Sequence, residues 1–191
     1  MSTATTVLRR EHDAILKMLD AAEEVARQLD ANLPVDRETL AGLLEFLRIF
    51  ADRCHHSKEE DYLFPTLERK GLPRDGGPIG VMLYEHEQGR ALIRQMGEAS
   101  EAFAAGSSDA GQRWAAAARG YISLLRSHIM KENNILFMMA DQILTSAEQD
   151  ALSEAFEKIE NEKLGPGTHE RLHALMDKLC AGIYAEARIA V

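Results

Sequence analysis

Apolar residues recur along this chain at alternating spacings of three and four, the pattern of helices that bury one stripe. Leu8, His12, Ile15, Leu19, Ala22, Ala26 and Leu29 form one stripe, and Ile79, Met82, His86, Gly89, Ile93 and Met96 another. A third runs through Trp114, Ala118, Tyr121, Leu125, His128, Glu132, Ile135 and Met139. Leu40, Leu43, Leu44, Leu47 and Phe50 mark the apolar side of a further segment. Turn formers separate these stretches: Pro34, the run from Gly71 to Gly77, and Gly106-Ser107-Ser108-Asp109. Four helices are predicted, at roughly 6–30, 36–70, 78–105 and 110–142. Thr145-Ser146-Ala147-Glu148 has the spacing of a capping box, and Gly165-Pro166-Gly167-Thr168 divides two shorter helices near 146–164 and 168–187. The expected architecture is all-α: an antiparallel up-down four-helix bundle over 5–142, with a short C-terminal helical extension at 145–187 packed on or beside it.

Polar residues interrupt the stripes. Each carries a histidine, and the third also carries Glu132. An ionised carboxylate at an apolar seam is costly unless a cation or a full set of hydrogen bonds compensates it. Residues four apart lie one above the other on a helix, so His128 and Glu132 present a nitrogen and a carboxylate to one point. The second segment holds a copy: the sequence from His55 to Phe64 aligns with that from His128 to Phe137 as H-x-x-K-E-x-x-x-L-F. Two equivalent half-sites are implied. Lys58 and Lys131, one position before the glutamates, are expected to point elsewhere.

His56 and Glu60 have the same internal spacing as His55 and Glu59. Only His55/Glu59 keeps the repeat aligned. At 100° per residue the apolar side of that helix lies about 90° from His55 but about 170° from His56, which is therefore expected to face outward or toward a bundle edge.

Composition narrows the function. With 191 residues, 46% of them hydrophobic and only five prolines, the chain can form one sizeable helical core. A formal net charge of −9 argues against nucleic acid and anionic membrane surfaces, which demand clustered Lys and Arg. No apolar run approaches the ~20 residues of a membrane span, and Met1 to Asp13 lack the apolar core of a signal peptide, so a cytoplasmic protein is expected. Cys54 and Cys180 form no C-x-x-C and are read as reduced thiols. The constellation His12, His55, Glu59, His86, His128 and Glu132, with His56 and Glu60 as further candidates, is a mixed nitrogen and oxygen donor set. It suits two iron ions, with manganese second, more than zinc or calcium.

At these residues the chain resembles the hemerythrin-like, or HHE, cation-binding family over roughly 5–142. The resemblance rests on His12, the run from His55 to Pro65, His86 within Met82-Leu83-Tyr84-Glu85-His86-Glu87, and the His128/Glu132 pair. It implies terminal ligation by the four histidines and bridging by Glu59 and Glu132. Within the family the chain resembles iron–sulfur-cluster repair proteins and an iron-sensing module more than the oxygen carriers. The carriers have a further histidine where this chain has Arg90, and an aspartate where it has Asn133. The missing ligand leaves an open site for dioxygen, peroxide or nitric oxide, or is replaced by His56 or Glu60. The implied function is a di-iron protein that binds or reduces such an oxidant, with peroxide or nitric oxide consumption a possible activity. A non-catalytic iron or oxygen sensor and iron delivery to damaged clusters are the alternatives.

Tyr62, Arg90 and Tyr121 lie within a few turns of the ligands and are candidates for the shell around them. Arg90 is expected either to organise a carboxylate such as Glu59 or Glu87, or to sit over the pocket. His169 and His173 are read as a solvated surface pair, and Met130, Met138 and Met139 as core filling.

Overall fold

The computed structural model describes residues 3–161, 165 and 167–189, the last four by backbone alone. Among the described residues there are six helices and no strand. Helix α1 spans Ala4–Asp30 and is capped by the Thr3 side chain, which accepts from the Thr6 amide. It stops at Asn32, whose φ of 53° few residues other than Asn and Gly tolerate. Helix α2 runs from Arg37–Phe46 through Leu47–His56 and Glu59–Leu63 to Phe64–Arg69. Helix α3 is Pro78–Ala104, opened by a proline whose missing N–H costs nothing in the first turn. Helix α4 passes from Ala110–Lys131 through Glu132–Leu136 to Phe137–Ile143. Helix α5, Ser146–Ile159, begins with the predicted capping box between Thr145 and Glu148. Helix α6 is Thr168–Ile189. Expected and observed bounds agree to within a few residues; 162–164, assigned to the fifth helix from sequence, lie outside the described residues.

The difference lies inside α2 and α4. Leu47–His56, Glu59–Leu63 and Glu132–Leu136 are π-type, with wider turns than an α-helix. A wider turn holds more residues, so a phase computed at 100° per residue slips. Ile135, expected on the seam, is 52% exposed, and Leu136 takes the buried position. Met130 and Met138, expected in the core, are exposed, while Met139 is only partly buried.

The core divides into two apolar clusters. One gathers Ile15, Leu19, Leu43, Phe46, Phe50, Met96, Trp114 and Leu125; the other gathers Leu8, Leu63, Phe64, Met82, Leu136, Phe137 and Phe156. On every long helix the polar candidates fall between the two. Pairs across the helices fix their relative placement: Asp30 with Arg119, Asp20 with Arg126, and Arg9 with Asp141 join α1 to α4. Asp52 with Arg90 joins α2 to α3, and Glu85 with Lys131 joins α3 to α4.

Helices α5 and α6 add to both clusters, with Leu152 and Phe156 on one side and Leu172, Met176 and Ile183 on the other. Gly42 lets α6 come close, since a Cβ there would lie 3.1 Å from Leu179 Cδ1. No helix among the described residues is long and apolar enough to cross a membrane.

Candidate metal centre

Between the two apolar clusters each long helix contributes donors: His12 from α1, His55, His56 and Glu59 from α2, His86 from α3, His128 and Glu132 from α4. All seven are buried. They form two groups, His12/His55/Glu59/Glu132 and His56/Glu59/His86/His128, and within each group the donor atoms lie within 4.8 Å of one another. Glu59 belongs to both. Its Oε1 is 3.5 Å from His55 Nε2 and its Oε2 3.5 Å from His86 Nε2. Glu132 Oε2 stands 3.2 Å from both His12 Nε2 and His128 Nε2. Each carboxylate thus spans the two histidine groups.

All five rings are turned the same way. The Nδ1 of His12 donates to Asn133 Oδ1 at 2.9 Å, and that of His55 to Glu11 Oε2 at 2.9 Å. The Nδ1 of His86 donates to Glu60 at 2.6 Å, that of His128 to Glu85 at 2.9 Å, and that of His56 to Asp52 at 3.3 Å. Acceptors on Nδ1 leave the Nε2 atoms pointing inward, the orientation of metal-ligating imidazoles. His86 Nε2 and His128 Nε2 come within 3.1 Å, close enough to share one proton or one cation. His12 Nε2 and all four oxygens of Glu59 and Glu132 lack hydrogen-bond partners. Five unpartnered buried atoms on three residues, facing the other histidines, are what a site built for cations leaves behind.

Electrostatics separate the histidines. Burial holds the His55 imidazole near 4 and that of His86 near 3, with His12 and His56 respectively adding to it, so both stay neutral and able to ligate. Burial also works against His128, but Glu132 and Glu85 lift it to about 9. Burial and the Glu132 charge push Glu59 well above the carboxylate range. Burial acts likewise on Glu132, but His128 and His12 outweigh it and hold Glu132 ionised.

The chain repeats its own machinery. Glu11-His12 with His55, Lys58, Glu59 and Glu60 matches Glu85-His86 with His128, Lys131, Glu132 and Asn133. In each half the lysine grips the glutamate that holds the histidine: Lys58 binds Glu11, the partner of His55, and Lys131 binds Glu85, the partner of His128. The residue after Glu59 or Glu132, namely Glu60 or Asn133, holds the histidine of the other pair. The phenylalanine ending the motif stacks on that same histidine, Phe64 on His86 at 6.0 Å and Phe137 on His12 at 5.4 Å. The lysines point away from the donors, as expected, yet into the shell that orients them.

His56 requires correction: it faces inward, with its ring 3.8 Å from that of His86. The π-type turns through Leu47–His56 rotate it off the outward phase of a regular helix. Glu60 stands outside both groups and holds His86. Arg90 takes the first of its two expected roles, binding Asp52, Glu60 and Glu87, though not Glu59. Tyr121 is buried against Gly89 with no partner for its hydroxyl, while Tyr62 lines a surface pocket beside Arg69 and Glu148. His169 and His173 are half-buried and lie on the Phe50 ring instead of in solvent. Glu11, Asp52 and Glu85 were missed as orienting groups. The Glu-His dipeptides at 11–12 and 85–86 were the available signal.

Among known proteins, residues 3–140 match the hemerythrin HHE cation binding domain. The chain is 28% identical over 163 residues to the uncharacterized protein Rv1995 of Mycobacterium tuberculosis, covering 85% of this chain and 63% of that one. It is 32% identical over 145 residues to the iron-sulfur cluster repair protein DnrN of Neisseria gonorrhoeae, covering 71% of this chain and 88% of that one. It is also 32% identical over 104 residues to the iron-sulfur cluster repair protein YtfE of an Enterobacter species, covering 52% and 47%. With a buried layer of histidines and carboxylates and a match over residues 3–140, the chain belongs to the hemerythrin HHE cation-binding domain family.

Proposed function

We propose that this protein holds two iron ions and binds or reduces a small oxidant such as dioxygen, peroxide or nitric oxide. His12 and His55 would hold one ion and His56, His86 and His128 the other, with the carboxylates of Glu59 and Glu132 facing both groups. The carrying observation is that each glutamate faces both histidine groups from a buried position without hydrogen-bond partners. Nitrogen and oxygen donors in this mixture favour iron, then manganese. The domain reading goes with it: residues 5–142 form an antiparallel up-down four-helix bundle and 145–187 an extension on it. Pairs such as Asp52–Arg90 with Glu60–His86 support opposed directions for α2 and α3.

An iron pair would supply a change of oxidation state and an electron-poor position for a small ligand. The rest falls to the chain. The His12/His55 half has one histidine fewer, so that half offers the open position. The flanking apolar clusters exclude bulk water, and the Nδ1 acceptors keep the imidazoles aimed. Arg90, committed to three carboxylates, positions the His56/His86 side instead of meeting the oxidant.

Metal analysis and a visible absorption spectrum of aerobically purified protein test this reading, with about two irons per chain and an oxo-bridged di-ferric band expected. One metal per chain, or none, would overturn it. A second reading, iron delivery, is favoured by similarity to the two proteins named for iron–sulfur cluster repair. Iron transfer to an acceptor without peroxide or nitric oxide consumption would select it.

A further inference from the structure

We propose that α5 and α6 form a latch on the His12/His55 half of the metal centre, closed by Glu160. This rests on the metal-pair reading above. Lys58 is fully buried, and a buried ammonium must be held by acceptors. It has two. One is Glu11, whose other oxygen takes the Nδ1 hydrogen of His55. The other is Glu160, just beyond α5, with Nζ 2.5 Å from its Oε1. A continuous path thus runs from the C-terminal arm through Lys58 and Glu11 to a ligand.

The internal repeat supplies the comparison. Lys131 makes the same contact with Glu85 in the other half, but it is 26% exposed and reaches no second carboxylate among the described residues. The arm therefore reaches one half-site only. Its hold is built from both helices. Phe156, one turn before Glu160, lies under Lys58 with the ammonium 5.8 Å from its ring centre. His169 of α6 brings a nitrogen within 4.8 Å of carboxylate oxygens of Glu11 and Glu160, and its ring lies on Phe50. This acidic group is no separate metal site, because Lys58 already supplies the cation. Without Glu160, Lys58 keeps one carboxylate and is drawn toward the solvent gap, taking Glu11 away from His55.

Loss of an outer partner lowers metal affinity by about 10–100-fold, and Glu160 stands one contact further out, so the lower end applies. Iron-loaded protein is challenged with a chelator and iron release is followed for the parent, Glu160→Gln and the exposed control Glu157→Gln. In Glu160→Gln one iron equivalent should leave about tenfold faster, with the other at the parental rate; Glu157→Gln should match the parent. Coupling is reciprocal, so iron loading of the parent must slow hydrogen exchange across 146–159, a measurement that needs no variant. Parental release rates in Glu160→Gln, equal acceleration of both equivalents, or exchange in the arm indifferent to iron would overturn the latch. A parent that binds no metal pair would instead remove the reading beneath it.

Discussion

Glu59→Gln should weaken the protein's hold on metal and strengthen its metal-free fold. Glu59 is buried beside ionised Glu132, which together push its carboxyl far above the ordinary 4.5. In the unfolded chain above pH 4.5 the same group is ionised, so folding without metal must draw a proton onto it. Each unit by which the folded value exceeds 4.5 costs about 1.36 kcal/mol at a pH above both. Glutamine resembles the protonated acid and carries no such cost. For a chain of this size each such unit corresponds to roughly 3–5 °C in Tm. A folded-state value raised for an acid means the folded chain binds more protons above pH 4.5. The parent therefore loses this increment as pH rises, and the gap between variant and parent should widen from pH 4.5 to 7. The assay is thermal melting of both proteins in chelator across that range, then with iron added. Iron should raise the parent's Tm through binding linkage and leave the variant nearly unmoved. A variant that melts below the metal-free parent, or a gap that does not grow with pH, would refute the reasoning.

Glu132→Ala should abolish binding of the metal pair, whereas Glu60→Ala, which removes only the His86 hydrogen-bond acceptor, should weaken it by about 10–100-fold; metal stoichiometry and chelator competition distinguish the two. His56→Leu should cost at least about tenfold in retention of the ion on the His86/His128 side, and unchanged retention would return His56 to a packing role. Removing metal from the parent should lower its Tm, since it leaves seven crowded donors in the core; an unchanged Tm would place the metal elsewhere. Thr145→Ala should cost about 1 kcal/mol by opening the α5 capping box, measured by denaturant unfolding. Lys70 and the Thr145 amide hold the Glu148 carboxyl near 2, so its support of that cap should persist above pH 4.5 and fade as pH falls toward 2.

Helix positions, the polar interruptions and the H-x-x-K-E-x-x-x-L-F repeat could be read from the sequence because they depend on local periodicity. The stripes of α1 and α3 are buried throughout as predicted, and six of the eight third-stripe positions, Trp114 to Glu132, are buried as well. His12, His55, Glu59, His86, His128 and Glu132 were identifiable because an apolar stripe does not accept a histidine or carboxylate without a reason. Periodicity fails where the turn itself changes. The π-type stretches in α2 and α4 moved Ile135 outward and His56 inward, and no residue type announces where such a turn begins. The orienting groups lay out of reach for another reason. Glu11 serves His55, Glu85 serves His128, and Glu160 reaches Lys58 from 102 residues away, so their roles exist only once separate helices meet. Local spacing determined which side chains would be buried as donors. Packing between helices decided which way each donor faces and what holds it there.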